Sequence, residues 1–215
     1  MISEKEFLAR FPQSISHWLG YRENAPKPPP KYLVHLWSFI AAFCGLSVVQ
    51  AIFNYSSYFI ERGVPGIIAS YGASAVLVYG AIESPLAQPR ALIGGHFLSA
   101  LVGICVTKLF SLIPNEEKFN SLRWVAASLS SAVAVVVMQV TETTHPPAGA
   151  TALLPAVDEA VWALSWYYLP VVLLLSTMIL AVALIMNNIQ RRYPVFWISP
   201  PAAKPVLPQA SNLKS

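Results

Sequence analysis

Hydrophobic positions along this chain are gathered into long blocks with short polar punctuation between them. Residues 33–60 contain no Asp, Glu, Lys or Arg, and neither do 63–82, 91–107, 124–141 and 160–190. A helix needs about 20 apolar residues to cross the hydrocarbon of a bilayer. Three of the blocks reach that length, and the other two reach it by recruiting neighbours such as Leu109, Phe110 and Leu122. A membrane-spanning barrel would alternate apolar and polar residues over segments of about ten, and no such alternation is present. Backbone groups in lipid must bond within their own segment, so the blocks are predicted to be helices.

Composition agrees with that pattern. The 215 residues are 55% hydrophobic and only 11% charged, with a mean hydropathy of +0.54. Soluble domains carry roughly a quarter charged residues, so lipid is the expected destination of this apolar surface. The net charge of +4 resides in flanks and loops, where it orients helices and gives no sign of nucleic-acid binding.

Gly72–Leu77 reads GASAVL and Gly149–Leu154 reads GATALL. The same offset superposes residues 91–110 on 168–187. It predicts a long helix, a Gly/Pro-broken middle segment and a second long helix, occurring twice. If the middle segments turn back, every Lys and Arg except Arg62 and Arg90 lies on the side of the termini. If they cross, Lys108, Lys118 and Arg123 join Arg62 on the other side while Arg90 returns to the first. The charge rule favours the first arrangement. The expected fold is therefore an all-α membrane bundle of four full spans plus two broken or re-entrant segments, in two internal repeats. Six spans is the alternative. The expected divisions are a cytosolic segment 1–32, a membrane domain 33–190 (repeats 33–112 and 122–190) and a cytosolic Pro-rich tail 191–215, disordered after Arg191-Arg192. The N-terminal residues read as an interfacial helix broken by Pro12, with a capping box from Ser3 and a polyproline lead-in over 25–30. They do not have the composition of a targeting peptide. Small residues every fourth position (Ala91, Gly95, Ser99, Gly103 and Ala126, Ser130, Ala134) let helix backbones approach closely. They fit a compact bundle or a contact between copies. Cys44 and Cys105 read as small packing residues.

Thr144-His145-Pro146-Pro147 has the grammar of a helix start, because proline is favoured where the N–H would be unpaired and Thr can cap. A half-helix over 147–154, ended by Pro155, is expected. Its N-terminus would attract a small anion, with Gly149 small enough for close approach and Thr151 offering a hydroxyl. Gly72 and Ser74 occupy the matching place in the first repeat. Arg90 stands at the head of a span, within reach of Glu83 in sequence. His96 lies two turns further on. Glu142 and His145 suggest a proton relay. These residues are read as a substrate site, with no catalytic residue, metal or cofactor: no HExxH or GxSxG occurs. A haem between His35 and His96 is the enzymatic rival considered. A membrane subunit without a pathway is the other rival.

The stretch THPPAGATALLPA (144–156), with SYGASAVLVYGAIESPLAQPRALIGGHFLSALVG (70–103), resembles the signature of the HPP integral membrane family. The resemblance runs over residues 37–186. It implies a four-helix membrane protein, and nitrite transport as in some chloroplast and cyanobacterial members. Some members continue into regulatory domains, in place of which a Pro-rich tail is expected here. The partners expected are a small anion and the lipid bilayer.

Overall fold

The computed structural model describes residues 4–24 and 29–200. Ser3, most of the polyproline lead-in and the tail beyond 200 lie outside the described residues. Two short helices, α1 (Glu4–Leu8) and α2 (Gln13–Trp18), are separated at Pro12, which sits at the N-cap of the second. The long α3 (Lys31–Tyr55) leads through α4 (Ser57–Ile60) to α5 (Ser70–Ala75), which continues as a π turn over Val76–Gly80. A 3-10 turn (Pro85–Ala87) and a second π turn (Arg90–Gly94) feed α6 (Gly95–Phe110). Then come α7 (Glu116–Val140), α8 (Pro146–Val157), α9 (Glu159–Leu164) and α10 (Tyr168–Asn188). The described residues contain no strand. Among the described residues, four helical stretches are long and apolar enough to cross a membrane: Lys31–Tyr55, Arg90–Phe110, Glu116–Val140 and Glu159–Asn188. Phe39, Phe43, Val136 and Val140 are exposed on their outer faces, as expected of an all-α integral membrane bundle whose solvent is lipid.

The side-chain contacts fix the direction of each segment. At one end of the bundle Arg90 donates to the carbonyls of Thr141 (2.7 Å) and Ile198 (3.0 Å). Tyr193 Oη donates to Ala87 O there, and His17 Nε2 meets Asn188 O. The starts of α6 and α8 and the ends of α7 and α10 thus share that end with α2 and the segment over residues 191–198. At the other end Lys108 lies over the Trp162 ring and Arg123 Nε donates to Ala156 O. The Tyr167 and Tyr58 side chains come together there. The end of α6, the start of α7 and the end of α8 gather at this second end.

The two middle segments therefore run from one end of the bundle to the other. The four long apolar helices match the four full spans expected, and the two broken segments traverse the bundle as in the six-passage alternative. At 1.5 Å per residue, the 12 residues of α8 reach only about 18 Å, roughly half the hydrocarbon thickness. Irregular backbone completes the crossing, which is tolerated where protein rather than lipid surrounds it: Val64, Ile68, Ala87 and Gln88 are buried.

Three passages per repeat give repeats of opposite direction. Their packing is exchanged. The α5 segment lies against α3 of its own repeat and α10 of the other, and α8 lies against α7 of its own repeat and α6 of the other. Glycines permit these contacts. A Cβ at Gly103 would meet the backbone oxygen of Ala152, and one at Gly45 the Tyr79 ring.

Residues 191–199 are not the loose end expected. Tyr193 is fully buried. Val195 N donates to Gln88 Oε1 (2.8 Å) and Trp197 N to Glu4 Oε1 (2.8 Å). Asn188 Nδ2 bonds Tyr193 O. Burial lowers the pKa of Arg191, whose positive charge is supported by the carboxylate of Glu83. The prolines after Arg192 obscured this docking, although alternating Tyr193, Val195 and Trp197 carry its apolar signal.

Candidate functional site

Where α5 crosses α8 in antiparallel fashion, the bundle contains a polar cluster sealed from solvent. His96, His145, Ser74 and Thr151 have no exposed surface. His145 stands at the N-cap of α8, with its Nδ1 2.8 Å from Leu86 O. Its Nε2 is 2.9 Å from Ser74 Oγ. The same Oγ is 2.7 Å from His96 Nε2, and His96 Nδ1 is 2.7 Å from Thr151 Oγ1. Thr151 Oγ1 donates to Ser70 Oγ at 2.8 Å. His96 thus bridges Ser74 and Thr151, the two hydroxyls that occupy equivalent places in the repeats. The Tyr71 ring stacks on His96 at 4.3 Å between centroids, and Tyr71 Oη bonds Val172 O and Ser176 Oγ. No carboxylate, lysine or arginine hydrogen-bonds this cluster among the described residues.

Local sequence explains the placement. The π turn before α6 precedes His96 by two residues, and such bulges often occur at functional sites. Gly95 lets α6 approach the start of α8, since a Cβ there would stand 2.8 Å from His145 Cβ. Pro155 does not end α8, as expected of it, but lies within the helix. Its missing N–H frees the carbonyl of Thr151, and Tyr168 Oη fills that vacancy at 3.2 Å. Both short segments also have an arginine at the C-terminal end, where the helix dipole is negative. Arg191 donates to Tyr79 O and Arg123 to Ala156 O, and positions 79 and 156 are related by the repeat offset.

The expected amide cradle is not built. Pro146 and Pro147 carry no N–H, and Ala148 N is bonded to His145 O at 2.9 Å. The polar chemistry at this helix start comes from side chains. Gly149 faces Ser131 of α7 rather than the cluster, and a Cβ at Gly72 would meet open space. Thr144 is half-buried, with a long contact to Met138 O (3.5 Å). Pro146 is exposed and Pro147 buried. Thr144, Leu86, Arg90, Glu142 and Ile198 line a cleft of about 530 Å³ at the end that carries the segment over residues 191–198. The Leu86 carbonyl side of this cleft leads to His145.

Arg90 pairs with Glu142 at 3.3 Å, not with Glu83. Glu142 therefore faces the cleft and takes no part in a relay with His145. His35 is exposed on α3, while His96 meets His145 with ring centroids 4.9 Å apart. The paired histidines are thus not the two that the haem alternative requires. Cys44 and Cys105 are free thiols. Sequence reasoning missed Ser70, Tyr71, Tyr168 and Ser99. Ser70 and Tyr71 precede Ser74 by one helical turn, a spacing that could have found them. Ser99 stands one turn beyond His96, and its buried hydroxyl has no partner among the described residues.

A family model described as the HPP transmembrane region matches residues 27–194. Two transmembrane proteins of Dictyostelium discoideum are similar to the chain. One is 36% identical over 189 residues, which cover 86% of this chain and 63% of that protein. The other is 40% identical over 167 residues, covering 75% of this chain and 50% of that protein. The chain thus spans about half to three-fifths of these relatives. No solved structure matches it.

Proposed function

The chain belongs to the HPP transmembrane family, and on that premise we propose that it carries a small inorganic anion across its membrane, with nitrite the leading cargo. The observation that carries this reading is the buried cluster around His96, placed where two oppositely directed repeats cross. Ionisable groups inside a membrane bundle are costly and mark pathways by default. Inverted repeats with broken helices at their interface are a recurrent architecture of transporters, with the binding site at that interface.

In this reading the anion enters through the cleft beside Arg90, passes Thr144 and Leu86, and reaches His145. There it exchanges the internal contacts of the cluster for its own. Each internal contact contributes about 1 kcal/mol net, so an anion accepting several hydroxyl and imidazole protons can displace them. The unpaired Ser99 hydroxyl is a further donor. Rocking of one repeat against the other would then open the cluster toward Tyr168 and the opposite end. The end holding Arg22, Arg90, Arg191 and Arg192 is assigned to the cytosol by the charge rule.

One observation favours the competing reading of a subunit without a pathway: the four central side chains are bonded to one another with no space between them. Flux measurement separates the two. Purified full-length protein in proteoliposomes should raise uptake of nitrite above that of protein-free vesicles, with nitrate, formate and chloride ranking its selectivity. Uptake no greater than background for all four anions would reject transport of this class.

A further inference from the structure

The central cluster has fewer protons than hydrogen bonds to fill. Leu86 O can only accept, so His145 Nδ1 carries a proton. Thr151 Oγ1 donates to Ser70, so its contact with His96 Nδ1 requires a proton on that nitrogen. If His96 is neutral, its Nε2 has no proton, and Ser74 must donate to it. The Ser74 proton is then spent, and the contact with His145 Nε2 is complete only if that nitrogen also carries a proton. Two neutral imidazoles and the hydroxyls of Ser74 and Thr151 bring four protons to these five contacts, and Ser70 O, 3.2 Å from Ser74 Oγ, competes for the Ser74 proton as well. The fifth proton makes one ring an imidazolium.

We propose that the His145–Ser74–His96–Thr151 chain is a proton-binding site, and that a proton bound there travels with each anion. The second half rests on the transport reading given above. Proton uptake places a second N–H on His145 or on His96. The proton passes between them when the Ser74 hydroxyl gives its own proton to one ring while taking one from the other. No other bond forms or breaks.

The surroundings make the coupling. Around the cluster, α5 and α10 present the phenols of Tyr71 and Tyr168, and α7 presents the uncharged Met138. Arg90 and Glu142, neighbours of the cluster in sequence, face the cleft and each other. An imidazolium alone in such a place is costly, and so is an anion alone. Together they neutralise, so each raises the affinity of the other by the same factor. This supplies the positive charge that the missing amide cradle does not.

Two measurements on the full-length protein test the proposal. In proteoliposomes with a trapped pH indicator, nitrite uptake above the protein-free background should bring in one proton per anion. Its rate should not change when a potential of about 100 mV is imposed. Ser74→Ala should lower proton-coupled uptake at least tenfold. Uptake that responds to voltage and moves no proton overturns the coupling while leaving anion transport intact. Independently of any flux, 15N-histidine NMR assigned with His96→Gln and His145→Gln should show one of these rings gaining a second N–H as the pH is lowered from about 8 to about 4. Ser74→Ala should weaken that protonation. Two rings that stay neutral throughout overturn the proton site, whereas a protonating ring without anion flux keeps the site and defeats the transport reading alone.

Discussion

Tyr168 and Pro155 show how one residue's defect becomes another's purpose. Proline removes the N–H that would bond Thr151 O, and the Tyr168 hydroxyl supplies a replacement. Interhelical hydrogen bonds in membranes average about 0.6 kcal/mol and reach about 1.7. Tyr168→Phe should destabilise the protein by that range in reversible SDS unfolding. In a Pro155→Ala background the restored N–H occupies the carbonyl, so the cost of Tyr168→Phe should fall to near zero. Equal costs in both backgrounds would refute the account of α8. At the cleft, the Arg90–Glu142 pair is partly exposed and so screened by salt. Exposed pairs contribute about 0.2–1 kcal/mol, equivalent to an effect of about 1.4-fold to fivefold. Glu142→Gln should raise nitrite uptake by that factor and Arg90→Gln should lower it, with both effects shrinking as ionic strength rises. The individual residues were partly legible in the chain. His145, His96, Ser74 and Thr151 were singled out, but as members of an anion cradle made of amides. Two adjacent prolines signal a helix start and also delete the donors that make such a start attractive, and only the second consequence decides the chemistry.

Element by element, the long helices were legible because composition alone requires them. Charge-free blocks of this length have no other soluble or membrane solution. The ends of the middle segments were less legible. Pro155 reads as a stop, yet a proline within a helix is tolerated when another group satisfies the freed carbonyl. The small-residue stripe on α6 is more than spacing, for Gly95 and Gly103 touch the start and middle of α8. Gly103→Leu would drive a side chain into the Ala152 backbone. Overpacking of this kind costs about 1–3 kcal/mol or more, which SDS unfolding would register. Gly149→Ala meets only ordinary van der Waals contact with Ser131 Oγ at 3.6 Å, so it should change stability by no more than about 0.5 kcal/mol.

For the whole molecule, the repeat was visible in the sequence but its handedness was not. Opposite direction depends on whether short segments cross, and hydropathy cannot distinguish a half-helix that turns back from one completed by buried loops. Cysteine labelling in a background lacking Cys44 and Cys105 resolves this directly. Asn115→Cys, in the α6–α7 connection, should react from the side opposite Gln13→Cys near the N-terminus. Labelling of both from one side would restore the four-passage topology and dismantle the inverted repeat. The docked segment over residues 193–198, held by Glu4 and Gln88, closes one end of the bundle beside the Arg90 cleft. The cluster around His96 lies between that end and the Tyr168 end. Its role is tested most directly by nitrite counterflow, in which vesicles loaded with concentrated unlabelled nitrite are diluted into a small amount of tracer with no imposed potential or pH gradient. Wild-type protein should produce a transient tracer overshoot, and Ser74→Ala and Thr151→Ala proteins of unchanged unfolding stability should produce at most a tenth of it. Overshoots of equal size in all three would contradict a transport site at this cluster.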